Sequence, residues 1–167
     1  MSGMRGEVVV VTGGSSGIGL AVAEEFARRE ARVVVVARDG ARAREVAASL
    51  PGEARAIAAN VGSVESIAAM MEDVRRTEGR IDVLVNSAGR FEVGPAEAAG
   101  AELAAELIEV NYLGAVRTIH AALPLLRQGR RRSIVTLSSI AGKLAPPFFA
   151  AYSGSKFALH GLSLIHI

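Results

Sequence analysis

Cysteine and tryptophan are absent from the 167 residues, and without cysteine there are no disulfides, thiolate nucleophiles or cysteine-ligated zinc. Long apolar runs are also missing. The longest are strand-sized, far short of the roughly 18 residues that a membrane span requires. Residues Met1 to Gly6 carry one arginine and no apolar stretch of signal-peptide length. These absences point to a cytoplasmic protein with no membrane partner. Charge of one sign is lacking too: 19 Lys and Arg face 17 Asp and Glu, and a net +2 gives no reason to expect nucleic acid. No G-x-x-x-x-G-K-[ST] loop occurs, which argues against a nucleotide triphosphatase. His120 has no histidine or acid at metal-ligand spacing, so no metal is expected. Half the residues are hydrophobic, and the length suits one globular domain.

What is present is an alternation of strands and helices. Val8 to Val11 is a β-branched apolar run of the kind buried on both faces of a parallel sheet. A helix follows, with Ile18, Val22 and Phe26 on one face. Further strands are predicted at Val33 to Ala37, Ala54 to Ala59, Ile81 to Val85 and Ser133 to Leu137. Helices are predicted at Ala41 to Leu50, at Val64 to Thr77 with Ser63 as cap and Gly79 beyond its end, over Ala101 to Leu126, and from near Ala151. This pattern predicts an α/β, Rossmann-like, doubly wound parallel sheet with about five strands present.

The first strand runs directly into Thr12-Gly13-Gly14-Ser15-Ser16-Gly17-Ile18-Gly19. Gly13 permits a tight turn, Gly17 lets backbone approach a pyrophosphate, and Gly19 lets helix and sheet pack closely. Free N–H groups and the dipole at the helix start favour the anion. At the end of the second strand Ala37 is followed by Arg38, where NAD-preferring enzymes often carry an acid. Arg38 can pair with a ribose 2′-phosphate, so NADP(H) is expected over NAD(H). Asp39 keeps NAD(H) open.

Tyr152 and Lys156 are four apart on a predicted helix and share a face. An ammonium one turn from a phenol favours the phenolate, which suits proton exchange at neutral pH. Ser139 lies thirteen residues earlier, just after the fifth strand, and Asn86-Ser87-Ala88-Gly89 follows the fourth. Both are at the carboxyl edge of the sheet, where open α/β folds place their sites. Asn111 lies inside the long helix. Phe148 and Phe149 are candidates to line a substrate pocket or simply to pack a loop. Arg130-Arg131-Arg132 is read as a solvated turn at a helix's negative end.

Thr12-Gly13-x-x-x-Gly17-x-Gly19, Asn86-x-Ala88-Gly89, Asn111, Ser139 and Tyr152-x-x-x-Lys156 together resemble the motif set of the short-chain dehydrogenase/reductase family. The resemblance spans almost the whole chain. It implies hydride transfer between NADP(H) and a small-molecule carbonyl or secondary alcohol. Tyr152 would be the general acid/base, Ser139 would hold the substrate oxygen, and Lys156 would bind ribose and tune Tyr152. Asn111 would anchor a water in a proton relay. Thr12, Ser15, Ser16 and Ile18, with the glycines, would hold the cofactor, and Asn86, Ala88 and Gly89 would shape its adenosine side. Asn60-Val61 departs from the family's usual acidic residue before a hydrophobic one, and retuned adenine contact is expected there.

The resemblance also implies further strands, a substrate lid and homo-oligomer contacts beyond the chain's last residue. Residues 1–161 are read as an incomplete NAD(P)-binding catalytic domain. Leu162 to Ile167 are read as an artificial tail, since one frame of a common transposon adaptor encodes those six residues. On this reading the chain itself is expected to be poorly soluble or inactive while its parent gene encodes a working enzyme. The alternative reading is a nicotinamide-binding module without turnover.

Overall fold

A computed structural model describes residues 3–95, 97 and 100–164. Five strands form one parallel sheet: β1 (Val8–Thr12), β2 (Arg32–Ala37), β3 (Ala54–Ala58), β4 (Val83–Asn86) and β5 (Ser133–Thr136). Their spatial order is β3-β2-β1-β4-β5. The chain winds outward from β1 to β3, then crosses back to start β4 on the other side of β1. The register pairs Thr12 with both Val36 and Asn86. The carboxyl ends of β1 and β4 therefore flank the switch point, the crevice where such sheets take ligands.

Alternation along the strands builds the two layers. Val9, Val11, Val33, Val35, Val83 and Val85 meet Ala23 and Ala27 of α1 (Gly17–Arg28) and Ala43, Val46 and Ala47 of α2 (Gly40–Ser49). Val10, Val34, Val36 and Leu84 face the other way. They meet Ile67, Met70, Met71 and Val74 of α3 (Val64–Glu78), and Ile119, Ala122, Leu125 and Leu126 of α5 (Gly114–Leu126). Both faces of the sheet are thus covered by helices, the doubly wound arrangement that the β-branched runs predict.

The caps of α3 fall where the sequence places them. Ser63 accepts from the N–H of Ser66 at 3.1 Å, and Gly79 closes the helix in the left-handed region at φ 73°. The first helix differs from expectation. Its buried stripe is Gly19, Ala23 and Ala27, and Ile18 is 68% exposed. Small residues let α1 lie close to the sheet, which turns the bulkier Ile18 out over the carboxyl edge.

The predicted helix over Ala101 to Leu126 is divided. α4 (Ala101–Ile108) passes through a π-helical turn, Glu109–Leu113, before α5. α6 (Ala150–Leu164) carries the Tyr-Lys pair. The proposed tail falls partly outside the described residues, which end at 164.

Asp82 fastens the amino side of this frame. Its buried carboxylate accepts from the backbone N–H of Val8 at 2.7 Å, that of Arg130 at 2.5 Å, and Arg80 Nε at 3.0 Å. Burial works to raise its pKa, and these donors outweigh burial and hold it below the usual value. One carboxylate thereby ties together β1, the start of β4 and the connection into β5. Arg130, Arg131 and Arg132 are exposed on the turn, and Arg131 pairs there with Glu7.

Candidate active site

The glycine turn after β1 is shaped by contact as much as by torsion. Gly13 sits at φ 69°, and a Cβ there would stand 2.7 Å from the backbone of Ala88. A Cβ on Gly19 would lie 2.3 Å from the Gly13 carbonyl oxygen. Gly17 has φ 52° with open space around the same position. Ser16 caps α1 in extended backbone but makes no side-chain cap bond, so among the described residues the helix's first N–H groups have no side chain as acceptor. A turn tightened by Gly13 and Gly19 and opened at Gly17, leading to an uncapped helix start, fits an anionic phosphate group.

Thr12 works from below. Its buried Oγ1 donates to the Val85 carbonyl at 3.4 Å and accepts from the N–H of Ser87 and of Ala88, each at 3.3 Å. It stitches the loop after β4 to β1 and does not line the cleft.

That cleft has two halves sharing Gly13, Ser16 and Gly89. One, about 520 Å3, is lined also by Ser15, Val36, Ala37, Arg38, Asp39, Ala59, Val61 and Ala88. Arg38 and Val61 thus lie together where the sequence places the adenosine end. Asp39 is there too, but one of its carboxylate oxygens caps α2 by accepting from the N–H of Arg42 at 3.0 Å. Asn60 is outside the lining: its Oδ1 accepts from the N–H of Gly62 at 3.0 Å in a local turn. Asn86 is buried within β4, its Nδ2 donating to Thr136 Oγ1 at 3.5 Å, and it supports the loop from inside the sheet.

The other half, about 390 Å3, brings Ile18, Gly19, Ser87, Arg90, Phe91, Leu137 and Ser138 together with Tyr152 and Lys156. Lys156 Nζ lies 5.8 Å from the centre of the Tyr152 ring and donates to the Leu137 carbonyl at 3.3 Å. The lysine is 7% exposed, and burial lowers its pKa from the usual lysine value. The phenol and ammonium thus share the rim of the sheet with the glycine turn. Ser139 directly follows Ser138 and caps a 3-10 turn, Ile140–Gly142, by accepting from the N–H of Ala141 at 3.1 Å. Ser138 is among the residues lining the cleft, and its hydroxyl donates to the Lys156 carbonyl at 3.2 Å.

Asn111 occupies the π turn, 1% exposed. Its Oδ1 accepts from the N–H of Arg90 at 2.7 Å, while Nδ2 donates to the Arg90 carbonyl and to Ser155 Oγ, each at 2.9 Å. Ser155 in turn donates to the Tyr152 carbonyl at 2.7 Å. The Asn111 side chain thereby joins the loop after β4 to the helix of Tyr152 and Lys156. π turns often mark functional sites, because the extra residue re-aims a side chain.

Several contributors were not legible in the sequence. Phe91, Arg90, Ser138 and Ser155 have no motif of their own, and only proximity reveals them. Phe91 meets Tyr152 edge-on with ring centres 4.9 Å apart, and Phe149 stands 5.7 Å from Phe91. Adjacency to motif residues on either side of the cleft was the one available signal. Among the described residues no group of His, Asp and Glu could hold a metal ion, and no helix is long and apolar enough to cross a membrane.

Comparison with known proteins agrees with this geometry. The family model for short chain dehydrogenase matches residues 7–165. The 17-beta-hydroxysteroid dehydrogenase type 1 of Homo sapiens is 41% identical, over 95% of this chain and 51% of that protein. A short chain dehydrogenase of Emericella variicolor is 39% identical, over 93% of this chain and 57% of its own length. The crystal structure of a short-chain dehydrogenase from Streptomyces avermitilis superposes with a TM-score of 0.87 at 37% identity, covering 96% of this chain and 59% of that one. The chain spans about half to three fifths of the length of these three.

Proposed function

The chain belongs to the short-chain dehydrogenase family, and on that footing we propose that it catalyses hydride exchange between NADP(H) and a carbonyl or secondary alcohol, with Tyr152 as general acid/base. The observation that carries this reading is the meeting of Tyr152, Lys156 and the glycine turn in one cleft. The cofactor would lie along both halves of the cleft, its phosphates at Ser15, Ser16 and Gly17 and the start of α1, its adenosine between Arg38 and Val61. When bound, the nicotinamide supplies or accepts the hydride.

The chain's own residues handle the proton and the positioning. In the reducing direction the Tyr152 hydroxyl gives its proton to the oxygen of the substrate carbonyl. Lys156, a buried cation behind the ring, stabilises the negative charge left on the phenol oxygen. Ser139 is proposed to hydrogen-bond the substrate oxygen: its Oγ accepts from the Ala141 N–H and so keeps its own proton to donate. Asn111 holds the Arg90 loop against α6, and so fixes Tyr152 and Lys156 relative to the glycine turn. Arg38 favours the 2′-phosphate of NADP(H), and the use of Asp39 as a helix cap weakens the competing claim of an acid on the ribose hydroxyl.

The test takes the purified chain, NADPH and a panel of carbonyl compounds, with binding followed by the cofactor's own fluorescence. Tyr152→Phe should abolish turnover and keep NADPH binding. Arg38→Ala should weaken NADPH more than NADH. Substantial turnover by Tyr152→Phe would refute its role, and equal affinity of the unaltered chain for both cofactors would refute the preference. Binding without any turnover would favour the non-catalytic module or an inactive fragment, and the same assay on the parent gene's full-length product separates the two.

A further inference from the structure

The whole chain holds two tyrosines and five phenylalanines, and three of these seven meet at one place. Phe91, in the loop after β4, meets Tyr152 at 4.9 Å with planes at 85°. Phe149, just ahead of α6, is 5.7 Å from Phe91 and 6.3 Å from Tyr152. The two loops are joined by the N–H of Gly94 donating to the Phe148 carbonyl at 2.9 Å, so the rings are held as a unit. Despite these contacts Phe91 is 60% exposed, and it lines the half of the cleft that holds Tyr152.

The charges in that half are already matched. Among its described lining residues only Arg90 and Lys156 carry charge. Arg90 is paired with Glu92 at 3.0 Å and with Glu106. Lys156 is buried behind the tyrosine. An anionic substrate would have to compete with two carboxylates for Arg90, and a cationic one finds no acid among those lining residues. An uncharged molecule with a flat apolar body meets neither obstacle and finds exposed ring surface beside the phenol.

We propose that Phe91 and Phe149 form an aromatic wall beside Tyr152 that selects flat, uncharged carbonyl compounds, aryl ketones in particular, with Phe91 as the specificity-determining residue. This rests on the cleft being the redox site proposed above, and it adds the class of substrate. The carbonyl points to the Tyr152 hydroxyl while the aryl group packs on the wall. Ring-on-ring geometry of this kind is worth about threefold to tenfold in affinity beyond the area buried.

The experiment measures binding by calorimetry to the chain saturated with NADP+, which cannot reduce a ketone, and kcat/KM with NADPH, for three probes. These are 2-acetylnaphthalene, which is flat and neutral; cyclohexyl methyl ketone, which is apolar but not flat; and pyruvate, which is anionic. The naphthyl ketone should bind about tenfold tighter than the cyclohexyl ketone, with pyruvate weakest. Phe91→Leu keeps apolar bulk and loses the ring, so the flat-over-puckered ratio should fall by about threefold to tenfold. Phe149→Leu should lower it less. Phe157→Ala removes an exposed ring of α6 outside the cleft and should leave the ratio unchanged. Equal binding of the two neutral ketones, an unchanged ratio in Phe91→Leu, or tightest binding by pyruvate would overturn the proposal. Binding is read without turnover, so selective binding with no reduction of any carbonyl would sink the redox reading alone. Reduction of carbonyls without the ring preference would sink only the aromatic wall.

Discussion

Three alanine substitutions in one turn separate torsional strain from steric contact. Gly17 has positive φ and empty space, Gly19 has ordinary helical φ and a carbonyl oxygen 2.3 Å from the added carbon, and Gly13 has both burdens. A left-handed conformation costs a non-glycine residue about 1–2 kcal/mol. Alanine recovers about 0.4–1 kcal/mol by restricting the unfolded chain. Gly17→Ala should therefore lose about 0–1.6 kcal/mol. At Gly13 the strain is joined by overpacking against the Ala88 backbone, typically about 1–3 kcal/mol, and a backbone neighbour gives way less easily than a side-chain tip. Gly13→Ala should lose about 2–4 kcal/mol. Gly19→Ala regains about 1 kcal/mol of helix propensity and still falls between them. Urea unfolding by circular dichroism reads the differences. With a slope of about 2 kcal/mol per molar, Gly13→Ala should move the midpoint down by about 1–2 M, and Gly17→Ala by less than about 0.8 M. NADPH affinity should fall in all three, because Gly17 faces the proposed phosphate site. Equal midpoints for Gly13→Ala and Gly17→Ala would show that the loop after β4 yields freely, and the contact argument would fail.

Lys156→Met should abolish turnover and raise stability at neutral pH, since it removes a buried cation that has no carboxylate partner among the described residues. The folded pKa of Lys156 lies below its unfolded value, so its penalty is full at low pH and fades as pH rises from the folded to the unfolded value. The stability gap between Lys156→Met and the unaltered chain should narrow towards alkaline pH, and a widening gap in urea titrations would contradict this. Asp82→Ala strands two backbone N–H groups and Arg80, and should cost about 3–5 kcal/mol in the same assay. Because the folded pKa of Asp82 is depressed, its contribution is complete above the usual carboxylate range and is lost as pH falls through the folded value. The Ala variant should thus show a smaller acid-side loss of stability, and identical acid profiles would refute the assignment.

Much of this protein was written locally. Four β-branched runs and the alternation of their faces determined a parallel sheet covered on both sides. Ser63 and Gly79 set the ends of α3, and Gly13, Gly17 and Gly19 announced the turn, because caps and turns depend on a few adjacent residues. The four-residue interval of Tyr152 and Lys156 placed both on one side of α6. Tertiary structure alone decided the rest. Spacing put Ile18, Val22 and Phe26 on one face of α1, while close approach to the sheet made Gly19, Ala23 and Ala27 the fully buried stripe. Thr12 became a strut for the loop after β4, Asn111 a clamp between Arg90 and Ser155, and Asp82 a fastener of three segments. Phe91 reached Tyr152 across 61 positions of sequence. Periodicity reports which side of an element faces inward; it carries no information about which distant backbone groups need a partner, and those needs assign each polar side chain its role.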